Sequence, residues 1–268
     1  MLSIATVARS FAGGRDYNED FAAVEHGDGA WCLVLADGAG GHADGALAAR
    51  TAVEKICQGF RARPPTDASD LAELLLDAHE AVLAAQRSAR GRAQAMHATI
   101  VVLAIDTRGD RALWGHVGDS RLYVLRRGRI ATVTRDDSVV KWMVDSGYLD
   151  AEAARSHPRK NRLLAALGAD VELKPTVRAE PLALEDGDAF LLCTDGWWDG
   201  VASEEIEAQL RRAKSVESWV DAMAGIVAAN AQADHDNYSA VGCWIGLAGV
   251  RACGQKTPAA TIGPGVRT

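Results

Sequence analysis

The chain alternates blocks of short apolar runs with blocks of helical periodicity. Leu71, Leu74, Ala78 and Val82 recur at the spacing of one helix face, which predicts a helix. The pair Pro64-Pro65 separates it from an earlier helical pattern. The first part of the chain is therefore predicted to contain strands at Ser3–Phe11, Phe21–Glu25 and Ala30–Ala36, followed by helices at Ala46–Phe60 and Ser69–Arg90.

Four short apolar runs follow the helices, and turns containing Gly109 and Gly128 lie between them. Such short connections require antiparallel neighbours. The first run, ATIVVLAI, is apolar at almost every position, which is typical of a strand covered on both faces. The predicted strands are Ala98–Ile105, Ala112–Val117, Leu122–Leu125 and Ile130–Val133.

The segment from Asp136 to Leu167 interrupts this strand pattern. It contains two short helical patterns, Val139–Ser146 and Asp150–Ser156, followed by the basic stretch HPRKNR. The remainder of the chain is predicted to contain strands at Thr176–Ala179, Ala189–Cys193 and Ser239–Leu247, with helices at Ser203–Arg212 and Ser218–Ala231.

This order of elements predicts the fold class. Helix pairs alternate with blocks of strands, whereas a doubly wound parallel sheet places single helices between single strands. We therefore expect an α+β fold, a four-layer α-β-β-α sandwich of two antiparallel sheets flanked by helix pairs. Residues 1–248 are expected to form one domain, and the period-free tail 249–268 is expected to be disordered.

Composition excludes several classes of protein. Lys and Arg number 29 against 36 Asp and Glu, so the net charge is −7 and nucleic acid is not expected as a partner. Because 48% of the residues are hydrophobic, a disordered chain is also excluded. Five widely spaced cysteines predict free thiols, and no apolar run approaches a membrane span. We expect a cytoplasmic protein without a membrane partner.

Several apolar runs end in an aspartate next to a small residue. Asp37 precedes Gly38, Asp195 precedes Gly196, and Asp119 follows a glycine. A buried strand fixes the position of the next side chain, and glycine lets the backbone turn sharply. A single Asp-Gly pair more often marks a turn, but the recurrence favours a site. Further carboxylates are Glu19 and Asp20 just ahead of the second strand, Asp236 ahead of the last strand, and Asp199 four residues after Asp195.

Carboxylates gathered at one sheet edge repel each other unless cations neutralise them. Ligation by oxygen atoms alone suits Mg²⁺ or Mn²⁺. A zinc site built on cysteine is not expected, because the chain contains no CxxC pair.

The chain resembles the PP2C-type (PPM family) metal-dependent protein Ser/Thr phosphatases, specifically their bacterial branch. Six segments carry the resemblance in the family's order, from Ser3 to about Leu247. They are RDYNED at 15–20, ADGAGGH at 36–42, GHVGDSRLY at 115–123, TRDDS at 134–138, LLCTDGWWD at 191–199 and DN at 236–237. The family fold is the sandwich expected from the order of elements.

The resemblance implies two Mn²⁺ or Mg²⁺ ions bridged by Asp37. One ion would also be bound by Asp195 and Asp236, and the other by Glu19 and the Gly38 carbonyl, with Asp20 acting through water. A third, more weakly bound ion would use Asp119 and Asp199 together with Asp195. Arg15 matches the arginine that clamps the phosphate, for which a guanidinium fork is well suited.

Two positions depart from the family pattern. Ala39 stands where animal members have a histidine proposed as general acid, so the acid is open. His42 is one candidate, a loop-structuring role is its alternative, and a water on the third metal is a competing proton source. Asp137 stands where the family usually has histidine, which implies altered local hydrogen bonding. The segment 136–167 corresponds to the flap of bacterial members, whose basic stretch either attracts an acidic substrate or is a solvated loop.

The resemblance implies a monomeric protein Ser/Thr phosphatase. It would hydrolyse phosphoserine and phosphothreonine on proteins by a metal-activated water and would oppose a bacterial Ser/Thr kinase. Two alternatives stay open at this point. One is a regulatory binding module that keeps the fold without catalysis, and the other is a phosphohydrolase of small molecules.

Overall fold

The computed structural model describes residues 2–39, 43–88, 96–247 and 261–262. The strands are β1 (Leu2–Phe11), β2 (Phe21–Gly27), β3 (Ala30–Ala36), β4 (Gly38–Ala39), β5 (His97–Ala98), β6 (Ile100–Asp106), β7 (Arg111–Val117), β8 (Arg121–Arg126), β9 (Arg129–Val133), β10 (Thr176–Val177), β11 (Leu182–Ala183), β12 (Ala189–Cys193), β13 (Tyr238–Leu247) and β14 (Thr261–Ile262). The helices are α1 (Ala43–Ala62), α2 (Ala68–Ser88), α3 (Val139–Asp145), α4 (Ala151–Arg155), α5 (Asp195–Trp198), α6 (Ser203–Arg212) and α7 (Val216–Asn230).

Two sheets form the centre of the molecule. One has the strand order β1-β13-β12-β8-β9, and the other has the order β10-β7-β6-β3-β2-β14 with β11 beside β7. Neighbouring strands in both sheets are antiparallel. The prediction of two antiparallel sheets is confirmed.

Three buried apolar clusters define four layers. Phe190 and Val241 meet Leu33 and Leu103 between the two sheets. The other faces of the sheets are covered by α1 with α2 and by α6 with α7. Strand β6 shows why its sequence lacks alternation: Val101, Leu103 and Ile105 face the other sheet, whereas Ile100 and Val102 face the helices. The expected α-β-β-α sandwich is confirmed.

Local capping explains where helices begin. Helix α7 starts at Val216, two residues before the predicted start, because Ser215 is its N-cap. The Ser215 hydroxyl accepts a hydrogen bond from the Ser218 N–H at 3.2 Å, so the two serines form a capping box. In the flap, Asp150 caps α4 in the same way, accepting from the Ala153 N–H at 2.7 Å.

The sequence patterns missed five short elements, β4, β5 as separate from β6, β11, α5 and β14. Each contains two to four residues, which is too short to show a period. In the tail expected to be disordered, Thr261–Ile262 instead pair with Ala22–Ala23 as β14. The other residues of the tail lie outside the described residues, and the domain boundary stays a prediction.

The prediction of free thiols is confirmed for the described cysteines. Cys32, Cys57, Cys193 and Cys243 are free and buried, whereas Cys253 lies outside the described residues. Across the part of the chain that the structure describes, the helices are all too short or too polar to cross a bilayer.

Candidate metal centre

A cleft of about 430 Å³ opens where strand ends from both sheets meet. Seven of the predicted site residues line it, namely Arg15, Glu19, Asp37, Gly38, Asp119, Asp195 and Asp236. Asn161 and Leu163 of the flap form part of the same lining. Of the remaining predicted residues, Asp20 and Asp199 lie next to this set and act on its charges, and His42 lies outside the described residues.

Strand β3 delivers Asp37 to the cleft, and hydrogen bonds hold its backbone in place. The Asp37 N–H donates to the Thr99 hydroxyl at 3.2 Å, and the Thr99 N–H donates to the Asp37 carbonyl at 2.8 Å. The next residue, Gly38, sits where a Cβ atom would overlap the carbonyl oxygen of Gly45 in α1 and lie 2.8 Å from the Glu19 carbonyl oxygen. Glycine is therefore required at position 38 by close backbone packing.

Asn237 connects the chain segments that carry Glu19 and Asp236. Its side-chain oxygen accepts from the Glu19 N–H at 2.8 Å, and its NH₂ group donates to the carbonyls of Ala12 and Tyr17, each at 2.8 Å. Its backbone N–H donates to the Asp236 carboxylate at 2.9 Å. The asparagine of the Asp-Asn pair, for which no role was predicted from the sequence, thus fixes the loop between β1 and β2 against the start of β13.

Asp20 has a buried carboxylate with one oxygen unpaired. Oδ2 accepts from the Thr194 hydroxyl at 3.1 Å, whereas Oδ1 has no hydrogen-bond partner. Burial, together with the charges of Asp195 and Asp236, raises the pKa of Asp20 to about 7. A buried carboxylate oxygen without a partner is costly unless it binds a proton or a cation, directly or through water.

The other carboxylates of the cleft share this electrostatic problem. Asp37 and Asp195 each retain some exposed surface on the cleft side, yet surrounding protein desolvates their carboxyl groups. Desolvation and then the charge of Asp236 raise the pKa of Asp195 to about 6. The pKa values of Asp37 and Asp119 are also well above the usual range, because of desolvation and of neighbouring carboxylates. A positive charge at this edge would stabilise all of them.

Helix α5 carries the carboxylates at the other side of the cleft. Asp195 is its first residue and Asp199 is its C-cap. Asp199 Oδ2 accepts a hydrogen bond from the Lys160 ammonium of the flap at 2.8 Å. This hydrogen bond, and the charges of Asp199, Asp195 and Asp236, raise the pKa of Lys160 against the opposing effect of desolvation.

Arg15 lies in the loop between β1 and β2 and forms an ion pair with Asp236. Its Nη2 atom is 3.0 Å from Asp236 Oδ2, and both side chains are about half exposed. The loop is held by the Gly14 N–H, which donates to the His235 carbonyl at 2.8 Å. The guanidinium therefore stands at the edge of the carboxylate cluster with donors facing the cleft.

Arg121 positions the backbone of Asp119 through Trp198, a role that was not predicted from the sequence. Its guanidinium donates twice to Asp136, at 2.8 and 2.7 Å, and stacks 3.6 Å from the ring centre of Trp198. The Trp198 indole N–H donates to the Asp119 carbonyl at 3.0 Å. The available signal was the pairing of GDSR with TRDDS, since both segments contain members of this network.

Asp137, which replaces the usual histidine, accepts a hydrogen bond from the Gly118 N–H at 3.1 Å. Its own N–H donates to the Gly118 carbonyl at 2.9 Å. Gly118 has φ of +96°, and it directly precedes Asp119. The replacement carboxylate thus pins the turn that presents Asp119, although desolvation raises its own pKa.

The donor set fits hard divalent cations in chemistry and in charge. It consists of carboxylate and carbonyl oxygens, and it includes the unpaired Asp20 oxygen. Within the described ranges, no three His, Cys, Asp or Glu side chains already form a closed metal cage. The carboxylates therefore line an open cleft.

The repulsion within this cluster predicts an unusual pH dependence of stability. Because the pKa of Asp20 is raised in the folded state, the folded chain holds a proton that the unfolded chain loses, and the free energy of unfolding falls as pH rises from about 4 to about 7. Replacing Asp20 by Asn removes this contribution. In metal-free protein, the free energy of unfolding of Asp20→Asn should therefore increase relative to that of wild type as pH rises from about 4.5 to about 7.5. We expect this relative increase to be on the order of 2 kcal/mol.

Urea unfolding in the presence of EDTA measures this difference. Asp77→Asn is the matched control, since Asp77 lies on α2 in an exposed ion pair with Lys55. Parallel pH profiles of Asp20→Asn and wild type would contradict the electrostatic interpretation.

Comparisons with known proteins identify the family and agree with the fold. The family model described as Protein phosphatase 2C matches residues 12–237. Over 191 residues, the chain is 35% identical to the serine/threonine protein phosphatase PstP of Mycobacterium tuberculosis, covering 71% of this chain but only 36% of that relative's length. It is 31% identical to the serine/threonine phosphatase stp of Listeria welshimeri, covering 83% of this chain and 88% of that protein.

The fold is also similar to that of a solved phosphatase structure. The catalytic domain of PstP in complex with two manganese ions superposes with a TM-score of 0.78 at 29% identity, over 92% of this chain and all of that one. The family match spans all the carboxylates of the cleft. The sequence, the sandwich and the comparisons together show that the chain belongs to the protein phosphatase 2C family.

Proposed function

We propose that the chain is a protein serine/threonine phosphatase that requires two divalent cations, Mn²⁺ or Mg²⁺. The observation that carries this proposal is the convergence of desolvated, mutually repelling carboxylates and one arginine on a single cleft. The names of the relatives support it, and so do the two manganese ions of the PstP catalytic domain.

Two groups of oxygen donors would hold the cations. Asp37 would belong to both groups, as the resemblance to the family implies. Asp195 and Asp236 complete one group, and Glu19 with the Gly38 carbonyl completes the other. Asp20 would act through water with its unpaired oxygen. When bound, such cations supply an acidified water and positive charge that stabilises the phosphoryl group in the transition state.

The residues of the chain itself bind and orient the substrate. The Arg15 guanidinium has donors at the mouth of the cleft and can hold two phosphate oxygens at once. In the structure it is paired with Asp236, so it must exchange this carboxylate for phosphate when substrate binds. This exchange would free the Asp236 carboxylate to bind a cation. Substrate binding and cation binding would then be coupled through Arg15.

The proton donor for the leaving group is a separate part of the proposal. Ala39 is exposed in the lining of the cleft and has no ionisable group. His42 follows it by three positions and remains the candidate acid among the side chains. Asp119 and Asp199, with Asp195, form the proposed place of a third cation, whose water is the competing proton source.

A phosphorylated protein segment is the substrate that the shape of the cleft favours. The cleft is open to solvent, and the flap residues Asn161 and Leu163 extend its lining beyond the carboxylates. An open groove admits an extended polypeptide, whereas a small-molecule enzyme usually encloses its ligand. Retention of all the proposed metal ligands argues against a binding module without catalysis.

The cellular setting completes the proposal. A phosphatase of this kind would act as a monomer in the cytoplasm and oppose a Ser/Thr kinase on shared protein substrates. The four free, buried cysteines support a reducing compartment.

Removal of a central ligand tests the proposed catalysis. In Asp195→Ala, we expect Mn²⁺-dependent turnover of a phosphothreonine peptide to fall at least about a hundredfold, equivalent to about 2.7 kcal/mol of transition-state stabilisation. Wild type should turn over the peptide more efficiently than p-nitrophenyl phosphate in the same Mn²⁺ titration. Asp77→Asn should retain full activity. Undiminished turnover by Asp195→Ala, or turnover in excess EDTA, would contradict the proposal.

The role of Arg15 predicts a change in substrate binding that charge alone does not preserve. Lysine keeps the positive charge but lacks the planar fork, so Arg15→Lys should lower kcat/KM about tenfold or more for the phosphopeptide. Arg212→Lys on α6, an exposed position away from the cleft, is the control. Steady-state kinetics at saturating Mn²⁺ measures both. Equal kcat/KM for Arg15→Lys and wild type would rule out bidentate binding.

A further inference from the structure

The flap, residues 136–167, is attached to the rest of the molecule at its base. The Leu164 N–H donates to the Asp137 carbonyl at 2.7 Å, and Leu167 pairs with Ala98 in an isolated bridge. Beyond this base, the flap contains α3, α4 and the basic stretch 157–162. The basic stretch runs directly into Leu163, which lines the cleft.

One cationic side chain of the basic stretch binds a carboxylate of the candidate metal centre. Lys160 Nζ lies 2.8 Å from Asp199 Oδ2, and the two side chains are 43% and 39% exposed. The neighbouring Arg159 is exposed, and no ion pair in the described part of the chain involves it. Lys160 therefore binds a carboxylate of the site, whereas the cationic residue directly before it does not.

Asp199 is a carboxylate for which an ammonium group and a divalent cation would compete. It follows Asp195 by one turn of α5, and it adds negative charge to the carboxylates of the cleft. An ammonium bound here offsets part of that repulsion without any metal. It also stands where a divalent cation would bind the same carboxylate, and two cations so close would repel each other.

We propose that Lys160 is an internal cation that competes with a divalent cation for Asp199. In this arrangement, the lysine holds the flap over the cleft while Asp199 is free of metal, and cation binding at Asp199 releases the flap. The coupling is reciprocal, so loss of the lysine strengthens cation binding as much as the lysine weakens it. The inference rests on the proposed function, since the competing ion is the third cation of the phosphatase site.

This role differs from a structural one in what it changes. A partly exposed ion pair contributes little to folding stability, so removal of Lys160 leaves the fold intact. Its effect appears in the affinity of the weakest cation site. Lys160→Gln should raise that affinity about threefold to tenfold, and Lys160→Arg, which keeps the charge, should remain close to wild type.

Isothermal titration of Mn²⁺ into the full chain measures the number of sites and the affinity of the weakest. Arg159→Gln is the matched control, because it removes the same charge from the same stretch. Hydrogen exchange of flap amides gives a second readout. In wild type, exchange in 139–162 should rise as Mn²⁺ fills the weakest site, whereas in Lys160→Gln it should be fast before Mn²⁺ is added.

The outcomes separate this inference from the proposed function. Tighter weakest-site binding in Lys160→Gln than in Arg159→Gln supports competition, and so does a third Mn²⁺ that appears only without the lysine. Equal or weaker binding in Lys160→Gln overturns it, while Mn²⁺-dependent phosphopeptide turnover by wild type would leave the proposed function standing. If wild type neither binds Mn²⁺ nor turns over the peptide, both fall.

Discussion

Electrostatic repulsion among carboxylates at one edge of the sandwich is the constraint on which the rest of the structure depends. Desolvation and proximity raise the pKa values of Asp20, Asp37, Asp119 and Asp195 together. Such a cluster is unfavourable by itself. The carboxylate cluster is held in place because the three buried apolar clusters fix the strands that carry its residues. The packed strands therefore hold the carboxylates close together, and positive charge would reduce the repulsion between them.

The residues around the cluster fix its position without neutralising it. Thr99, Thr194 and Asn237 supply uncharged hydrogen bonds to its backbone or side chains. Arg121 partly opposes the rise in the pKa of Asp119, but its guanidinium binds Asp136 and stacks on Trp198. Among the described residues, Arg15 and Lys160 bring positive charge to the margins of the cleft by direct ion pairs with its carboxylates. This division is the one that the proposed function requires, with cations from solution in the interior of the cleft and phosphate at its rim.

Sequence patterns were sufficient for the layers and for most of the carboxylates. Asp37 and Asp195 were predicted because each ends an apolar run, and a buried strand always delivers its next residue to a defined place. Helix α5 was missed because four residues show no period. Asn237 was given no role, and Lys160 shared the two alternatives of its basic stretch, because their partners lie 218 and 39 positions away and such contacts depend on the assembled fold. The basic stretch of the flap thus remained ambiguous until the structure gave Lys160 a partner.

Proton release on metal binding tests the central claim most directly. If cations relieve the repulsion, Mn²⁺ must displace the protons that the raised pKa values retain. Calorimetric titration of Mn²⁺ in two buffers with different ionisation enthalpies counts these protons. The account predicts release of about one proton or more per chain at pH 6 and less at pH 8. Tight binding of Mn²⁺ at pH 6 without proton release, or no binding at either pH, would contradict it.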